Sequence, residues 1–243
     1  MAFPFTLYGY LLITFAMVIG SALQGTVGYG SALVAAPLLL LVDQRLVPVP
    51  FSLSIFILVI LMTVRERRAL DLKGLTWSVF GRVFGSGLGA LILVQFASDS
   101  FVLIFSIMVL LAVIISASGV RFYPSIKALI GAGFFSGLMG TIAAIGGPPM
   151  ALVYQEEDGE RLRSTLSAYF IVSIIISGFA WLSVGMLGVE HLFLVLLLLP
   201  GILIGYFLSS KIVPIIRGNY LRPLILIVAA VSAIYALINH LIF

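Results

Sequence analysis

The chain has 243 residues, of which 62% are hydrophobic and only 9% are charged, and its mean hydropathy is +1.27. These values exclude a soluble globular domain and indicate an integral membrane protein. Most of the chain is therefore expected to form membrane-spanning segments of about 20 residues each. The formal net charge is +4, but the basic residues lie near the ends of apolar runs, where they are expected to set membrane orientation. The expected partner is therefore the lipid bilayer, and nucleic-acid binding is not expected.

Ten apolar runs follow one another along the chain, in two sets of five. They cover residues 6–24, 29–42, 48–64, 76–96 and 100–118, then 124–139, 142–154, 164–184, 190–208 and 222–241. The second run of each set is too short to cross about 30 Å of hydrocarbon comfortably as a straight helix. This pattern predicts an all-α polytopic membrane protein that forms a single membrane domain, and a homo-oligomer is possible.

Two glycine-rich stretches interrupt these runs with the same spacing. They are GTVGYGSALVAAP, from Gly25 to Pro37, and GLMGTIAAIGGPP, from Gly137 to Pro149, and matching glycines and prolines are 112 residues apart. Glycine and proline disfavour helix, and a broken helix in a bilayer persists only where it is buried or lines a cavity. The alternative is that any polytopic protein shows apolar runs at similar intervals. The shared spacing favours two repeats, 1–118 and 119–243, each with a broken helix pair followed by three spanning helices.

The lysines and arginines predict how these repeats are oriented. Basic residues predict that three loops are cytoplasmic. The first loop contains Arg65, Arg67, Arg68 and Lys73, the second contains Arg161 and Arg163, and the third contains Lys211, Arg217 and Arg222. The loop with Arg121 and Lys127 is basic too, so it should lie on the same side as the loop with Arg161. The two apolar runs between these loops, 124–139 and 142–154, must then make an even number of crossings, either as a re-entrant hairpin or as two short spans. The halves then have inverted topology, with both termini outside the plasma membrane.

The breaks are the predicted substrate site, because they free backbone N–H groups that form a neutral cradle for an anion. The candidate residues are Gln24, Gly25, Gly28, Tyr29, Gly30 and Ser31 in the first break and Gly140, Thr141, Gly146 and Gly147 in the second. The alternative is that these small residues only permit close helix packing. That alternative is favoured for Gly85, Gly89, Gly201 and Gly205, which lie four apart in uninterrupted runs.

Arg82 is the single charge that lies well inside a predicted span, about six residues from its start. An ionisable residue in a span indicates function, and Arg82 could attract an anion with a full positive charge. The alternative is that its side chain extends to the cytoplasmic headgroups, about 9 Å away at 1.5 Å per residue. Further side chains that could add donors are Ser52, Ser54, Ser164, Thr165 and Tyr169.

No group in the sequence suggests catalysis or a bound cofactor. All nine carboxylates lie in loops or at segment ends, and no histidine lies deep in a span to act as a base for Ser86. The chain has no cysteine, so it has no disulfide or thiolate metal site. The acidic residues between Glu156 and Glu160 could suggest a divalent cation site, but a solvated loop is favoured. An enzyme, a cofactor and a metal site are therefore not expected.

The two glycine-rich stretches, in a cysteine-free chain of this length, resemble the TauE/SafE family of sulfite exporters, also called the 4-toluene sulfonate uptake permease family. The resemblance implies a multi-pass transporter of small anions such as sulfite, sulfonates or sulfoacetate. It would place functional positions at Gly25, Gly28, Gly30 and Pro37, and at Gly140, Gly146, Gly147, Pro148 and Pro149. A third glycine often follows the pair in the second half of this family, and Pro148 stands there in this chain.

These observations together predict a transporter of small anions that works by alternating access at the paired breaks, and the resemblance implies that the anions contain sulfur. The rival prediction is an anion channel or passive pore that uses the same breaks as a filter. Counterflow distinguishes the two, since a pore shows none.

Overall fold

The computed structural model describes residues 5–67, 70–95, 100–120, 122–212 and 221–242. Within these residues the chain is all-helical, and each of the ten predicted apolar runs forms one α-helix. The helices are α1 Leu7–Val27, α2 Ser31–Val42, α3 Val49–Glu66, α4 Leu72–Gln95, α5 Phe101–Ala117, α6 Ile126–Ala143, α7 Gly147–Tyr154, α8 Gly159–Ser183, α9 Glu190–Ile212 and α10 Leu221–Ile242. The predicted all-α class is thus confirmed.

Six of the helices are long and apolar enough to cross a membrane, namely α1, α3, α4, α6, α8 and α9. Their outer faces carry large exposed apolar side chains such as Phe84, Leu91 and Phe179. A soluble protein rarely exposes so much apolar surface, whereas lipid solvates it without cost. The chain is therefore a multi-pass membrane protein.

Both predicted helix breaks are present, but each lies a few residues later than the glycine spacing indicated. Helix α1 ends at Gly28, which has a left-handed φ of 98°, and α2 begins at Ser31 after Gly30, with φ of 109°. Helix α6 ends at Ala144, with φ of 63°, and α7 begins at Gly147. The breaks thus lie 116 residues apart.

The residue-by-residue pairing of the two glycine stretches is consequently wrong. Gly25, Gly137 and Gly140 all lie inside helices, whereas Gly28 ends one. A glycine in a helix costs only about 0.5–1 kcal/mol, which close packing against a neighbouring helix can offset. The left-handed residues that end the helices are Gly28 and Ala144.

Each broken pair returns to the end of the bundle from which it started. Gly9, near the start of α1, packs beside Val42 at the end of α2. In the second half, the Gln155 side chain donates a hydrogen bond of 2.9 Å to the carbonyl of Val120, just before α6. The pairs α1–α2 and α6–α7 are therefore hairpins.

Helices α4 and α6 pack side by side through glycines, in the same direction. A Cβ atom at Gly81 or Gly85 would lie 2.0 or 1.9 Å from a carbonyl oxygen of α6, and α1 and α9 meet in the same way at Gly201 and Gly205. Close approach of this kind is typical of small residues in membrane helices. The packing role predicted for Gly85, Gly201 and Gly205 is confirmed, while a Cβ at Gly89 would meet its neighbours less closely, at 3.1 Å.

One end of the bundle carries most of the described charged residues. Arg65, Glu66, Asp71, Arg161 and Arg163 lie there, at the C-terminal end of α3 and the N-terminal ends of α4 and α8. We call this the basic end. Three other residues of the orientation argument, Arg68, Arg121 and Arg217, lie outside the described residues, as does the side chain of Arg222.

Candidate functional site

A cavity of about 50 Å³ lies where the two helix breaks meet. Since a single water needs at least about 10–15 Å³ of such space, the cavity has room for a few waters or one small anion. Helices α3, α4 and α8 complete its wall. The lining residues are Gln24, Gly30, Ser31, Ala32, Leu33, Phe51, Ser52, Ile55, Arg82, Gly140, Ala144, Ile145, Gly146, Gly147, Pro148, Phe170, Ser173, Ile174, Ser177 and Trp181.

Arg82 lines this cavity from the middle of α4. It is the eleventh residue of the helix, about 15 Å from the first at 1.5 Å per residue, and it is only 3% exposed. Its side chain turns inward, where Nη1 donates to the Ser136 carbonyl at 2.6 Å and Nη2 donates to the Ser177 hydroxyl at 2.8 Å. The alternative that Arg82 extends to the headgroups is therefore wrong.

Two glycines make room for the Arg82 guanidinium. A Cβ atom at Gly140 would lie 2.6 Å from Nη1 of Arg82, and one at Gly146 would lie 2.9 Å from the same atom. Real side chains essentially never approach so closely, so a larger residue at either position would displace the guanidinium. Gly140, although it lies inside α6, thus contributes to the cavity by leaving space for the charge.

Hydrogen bonds connect Arg82 to the second break and to α8. The Ser136 hydroxyl, which lies 3.2 Å from Nη1, donates to the carbonyl of Gly146 at 2.6 Å. On the other side, the hydroxyls of Ser177 and Thr141 lie 2.9 Å apart. Thr141 in turn accepts, through its carbonyl, a 3.1 Å bond from the indole of Trp181. Such a buried network fixes the position of the charge.

The charge of Arg82 has no counter-ion among the described residues. Its four hydrogen bonds go to neutral oxygens of Ser136, Ser173 and Ser177, and the Tyr169 hydroxyl is a further polar neighbour of the guanidinium. Its Nε and the buried hydroxyl of Ser173, which also lines the cavity, have no hydrogen-bond partner in the described part of the chain. A buried, unpaired cation is costly, and an anion in the cavity would lower that cost.

Two helix N-termini add to the positive potential of the cavity. Helices α2 and α7 both begin at its wall, and neither has a side-chain cap at its N-cap glycine, Gly30 or Gly146. Uncapped N-terminal N–H groups attract anions. In α7, Pro148 and Pro149 have no N–H, so Pro148 contributes apolar surface and Gly147 contributes the donor.

Gln24 and Ser31 contribute a polar pair from the first break. The Ser31 hydroxyl donates to the side-chain oxygen of Gln24, and both residues are buried and line the cavity. This bond uses the Gln24 side-chain oxygen, so the amide nitrogen is the donor that this side chain can offer to the cavity. The Gln24 amide is thus a further donor available to an anion.

Eight of the twelve predicted site residues line the cavity, and four lie beside it. Gly25 packs against Ser209 of α9, and Gly28 ends α1 beside Arg163. Tyr29 packs on Gly147, where a Cβ would meet it at 3.0 Å. Thr141 is fully buried in the network described above. These four residues shape the two breaks without facing the space between them.

Sequence reasoning missed the five residues of α8 that line the cavity, three of which have polar side-chain atoms. Ser173, Ser177 and Trp181 are spaced by four, which places them on one face of the helix. That polar stripe in an apolar helix was the available signal. Of the optional donors, Ser52 lines the cavity, whereas the Ser54 hydroxyl bonds to the Phe51 carbonyl of its own helix.

The acidic residues before α8 have structural partners. Asp158 caps α8 by accepting from the N–H of Arg161 at 2.9 Å, and Glu157 pairs with the Arg161 side chain at 3.2 Å. Among the described residues, no cluster of three or more His, Cys, Asp or Glu could hold a metal ion.

Nearly the whole chain matches one known protein family. Residues 12–236 match the family described as sulfite exporter TauE/SafE. The chain belongs to this family. It is thus a member of a transporter family, and the matched region includes both helix breaks, Arg82 and the serines of α8. No curated protein and no solved structure matches the chain.

Proposed function

We propose that this TauE/SafE protein carries a small sulfur oxyanion such as sulfite across the membrane, and that the anion binds in the cavity beside Arg82. The observation that carries the proposal is a buried arginine without a counter-ion, held at the meeting point of two broken helices. Sulfite has three oxygens that can accept from the guanidinium and the Ser173 hydroxyl together. The cavity volume fits an inorganic anion better than a sulfonate with an organic tail.

Alternating access between two inverted repeats is the proposed mechanism. Each helix of the first half corresponds to the helix five places later in the second half, and the main helix contacts follow this correspondence. The contact of α4 with α6 corresponds to that of α9 with α1, whereas α3 packs on its own counterpart α8, and α5 packs on α10. The hairpins α1–α2 and α6–α7 open toward opposite ends of the bundle. Inverted repeats with broken helices at the substrate site support rocking of one half against the other.

Export is the proposed direction in a cell with an inside-negative membrane potential. Such a potential expels an anion with about 2.3 kcal/mol per charge per 100 mV, so no coupling ion is required. We place the basic end in the cytoplasm and both termini outside the plasma membrane. Because the chain has no cysteine, a single cysteine at Val189, which is 81% exposed, should react from outside, and one at Glu160 from the cytoplasm. The reverse labelling pattern would refute this orientation.

Counterflow in proteoliposomes tests the transporter against the rival pore. Vesicles loaded with unlabelled sulfite should transiently accumulate labelled sulfite above its external concentration, with a saturable initial rate. The Arg82→Gln protein should show no such accumulation, whereas Arg161→Gln, which alters only a surface ion pair, should behave as wild type. Non-saturable flux without counterflow would contradict the transporter and support a pore.

A further inference from the structure

A second charged cluster lies between α3 and α8 at the basic end, outside the cavity. The Nε of Arg163 donates to both carboxylate oxygens of Glu66, at 2.9 Å each. Arg65 donates to the same carboxylate from Nη2 at 2.8 Å. The Glu66 side chain is 8% exposed and that of Arg163 is 16% exposed. This largely buried cluster therefore links the two helices directly.

The same cluster holds the C-terminal end of α1 at the first helix break. Nη2 of Arg65 donates to the Gly25 carbonyl at 2.6 Å, and Nη1 lies 3.3 Å from the Ser209 hydroxyl of α9. Arg163 packs on Gly28, where a Cβ would lie 3.1 Å from its Cα and Cγ atoms. Four helices, α1, α3, α8 and α9, thus meet at these three charged residues.

The cluster lies on the basic-end side of the cavity. Glu66 follows the cavity residue Ile55 by eleven residues of α3, about 16 Å at 1.5 Å per residue. Arg163 precedes the cavity residue Phe170 by seven residues of α8, about 10 Å. No ion pair joins α3 and α8 at their other ends among the residues that the structure describes. The two helices are thus tied by charge on one side of the cavity only.

We propose that the Glu66–Arg163 ion pair, supported by Arg65, closes the route between the basic end and the cavity and breaks when that route opens. The proposal rests on the alternating access proposed above. A largely buried pair loses much of its strength once water reaches it, because water screens and solvates both charges. Separation of α3 from α8 at this end would hydrate Glu66 and Arg163 together, so the closed and open arrangements would form two distinct states.

A cavity cysteine reports on this route, since the chain has no cysteine of its own. Ser52 lines the cavity, so the Ser52→Cys protein carries a single thiol there. This protein and the double variant with Glu66→Gln are reconstituted into vesicles in each orientation and treated with a membrane-impermeant thiol reagent. In the double variant, the thiol should react about tenfold faster from the basic end than it does in Ser52→Cys alone. A tenfold change corresponds to a shift of about 1.4 kcal/mol in the equilibrium between the closed and open states. Reaction from the opposite end should not become faster.

Two further variants separate a gate from a general loss of structure. Arg161→Gln removes an ion pair of the same chemistry at the same end, but one that lies on the surface and does not join α3 to α8, so it should leave the labelling rate unchanged. Arg163→Lys keeps the charge opposite Glu66 and should restore most of the protection that Arg163→Gln loses. Equal acceleration by Arg161→Gln, or from both ends of the bundle, would overturn the gate.

Sulfite binding by the same proteins distinguishes failure of the gate from failure of the proposed function. If sulfite raises the unfolding temperature of the Ser52→Cys protein and Glu66→Gln leaves its labelling unchanged, the gate is refuted while the anion site stands. If sulfite stabilises neither this protein nor wild type, the proposed function fails, and the gate fails with it.

Discussion

Gly140 and Arg82 are matched in space, since a Cβ at Gly140 would lie 2.6 Å from Nη1 of Arg82. The guanidinium occupies the volume that a side chain on α6 would otherwise fill. From there it reaches Ser136 and Ser177 and faces the cavity at the two breaks. The position of the positive charge therefore depends on a residue that has no side chain.

Replacing Gly140 with alanine should displace this charge and weaken anion binding. We expect at least about tenfold weaker sulfite binding, which corresponds to about 1.4 kcal/mol, measured by titration of the purified protein. Gly131→Ala on the same helix is the control, because a Cβ there meets nothing within 4 Å. Equal affinities of the two variants would contradict the proposed role of Gly140.

Ser173 and Ser177 lie one turn apart on α8, and replacing each with alanine should have a different effect, on sulfite affinity for Ser173 and on stability for Ser177. Ser177→Ala removes the partner of Arg82 and Thr141, so it should lower the free energy of unfolding by about 1–3 kcal/mol. Ser173→Ala removes a buried hydroxyl without a hydrogen-bond partner, so stability should not fall. Sulfite affinity of Ser173→Ala should nevertheless drop about fivefold, the equivalent of one lost hydrogen bond of about 1 kcal/mol. Destabilisation by Ser173→Ala, with unchanged affinity, would be the opposite result.

Glycines of α4 should differ sharply according to the face they occupy. Gly85→Ala would place a Cβ 1.9 Å from the Phe134 carbonyl oxygen, and overpacking of this kind costs about 1–3 kcal/mol. Gly87 is exposed and a Cβ there meets nothing within 4 Å, so Gly87→Ala should stabilise the helix by about 0.5–1 kcal/mol. Thermal unfolding in one detergent compares the two. Similar unfolding temperatures would show that α4 and α6 do not pack as described.

Trp181 should report anion binding by its fluorescence, because it is buried and lines the cavity. The chain has two tryptophans, and Trp77 is 36% exposed on α4. In a Trp77→Phe protein, sulfite should change the emission of Trp181 with a saturable dependence on concentration. The Trp181→Phe protein, which keeps Trp77, should show no saturable change. A response carried by Trp77 instead would place the anion elsewhere.

The all-helical fold was largely predictable from the sequence, because most of the apolar runs are long enough to span a membrane. Arg82 could be identified as well, since a charge inside an apolar run is rare enough to indicate function. The exact ends of the broken helices were not predictable. Gly25 and Gly140 lie inside helices, where Ser209 of α9 and Arg82 occupy the space that a side chain would fill, and such contacts depend on residues far away in the chain.

The polar wall contributed by α8 was harder to predict. Serines occur freely in spanning helices, so neither Ser173 nor Ser177 is distinctive alone. They gain a role only because α4 brings Arg82 to the same face of α8. The left-handed Ala144 was equally hidden, since glycine is the residue that usually marks such a helix end.

The most direct test of the account is the unfolding temperature of the purified protein with and without sulfite, measured without oxygen and compared with sulfate, chloride and simple cations. At 100 times its dissociation constant, a ligand that binds only the folded state adds about 2.7 kcal/mol of stability. We predict stabilisation of this size by sulfite in wild type and in Arg161→Gln, and none in Arg82→Gln. Full stabilisation of Arg82→Gln, or stabilisation of wild type by cations alone, would contradict an anion site at Arg82.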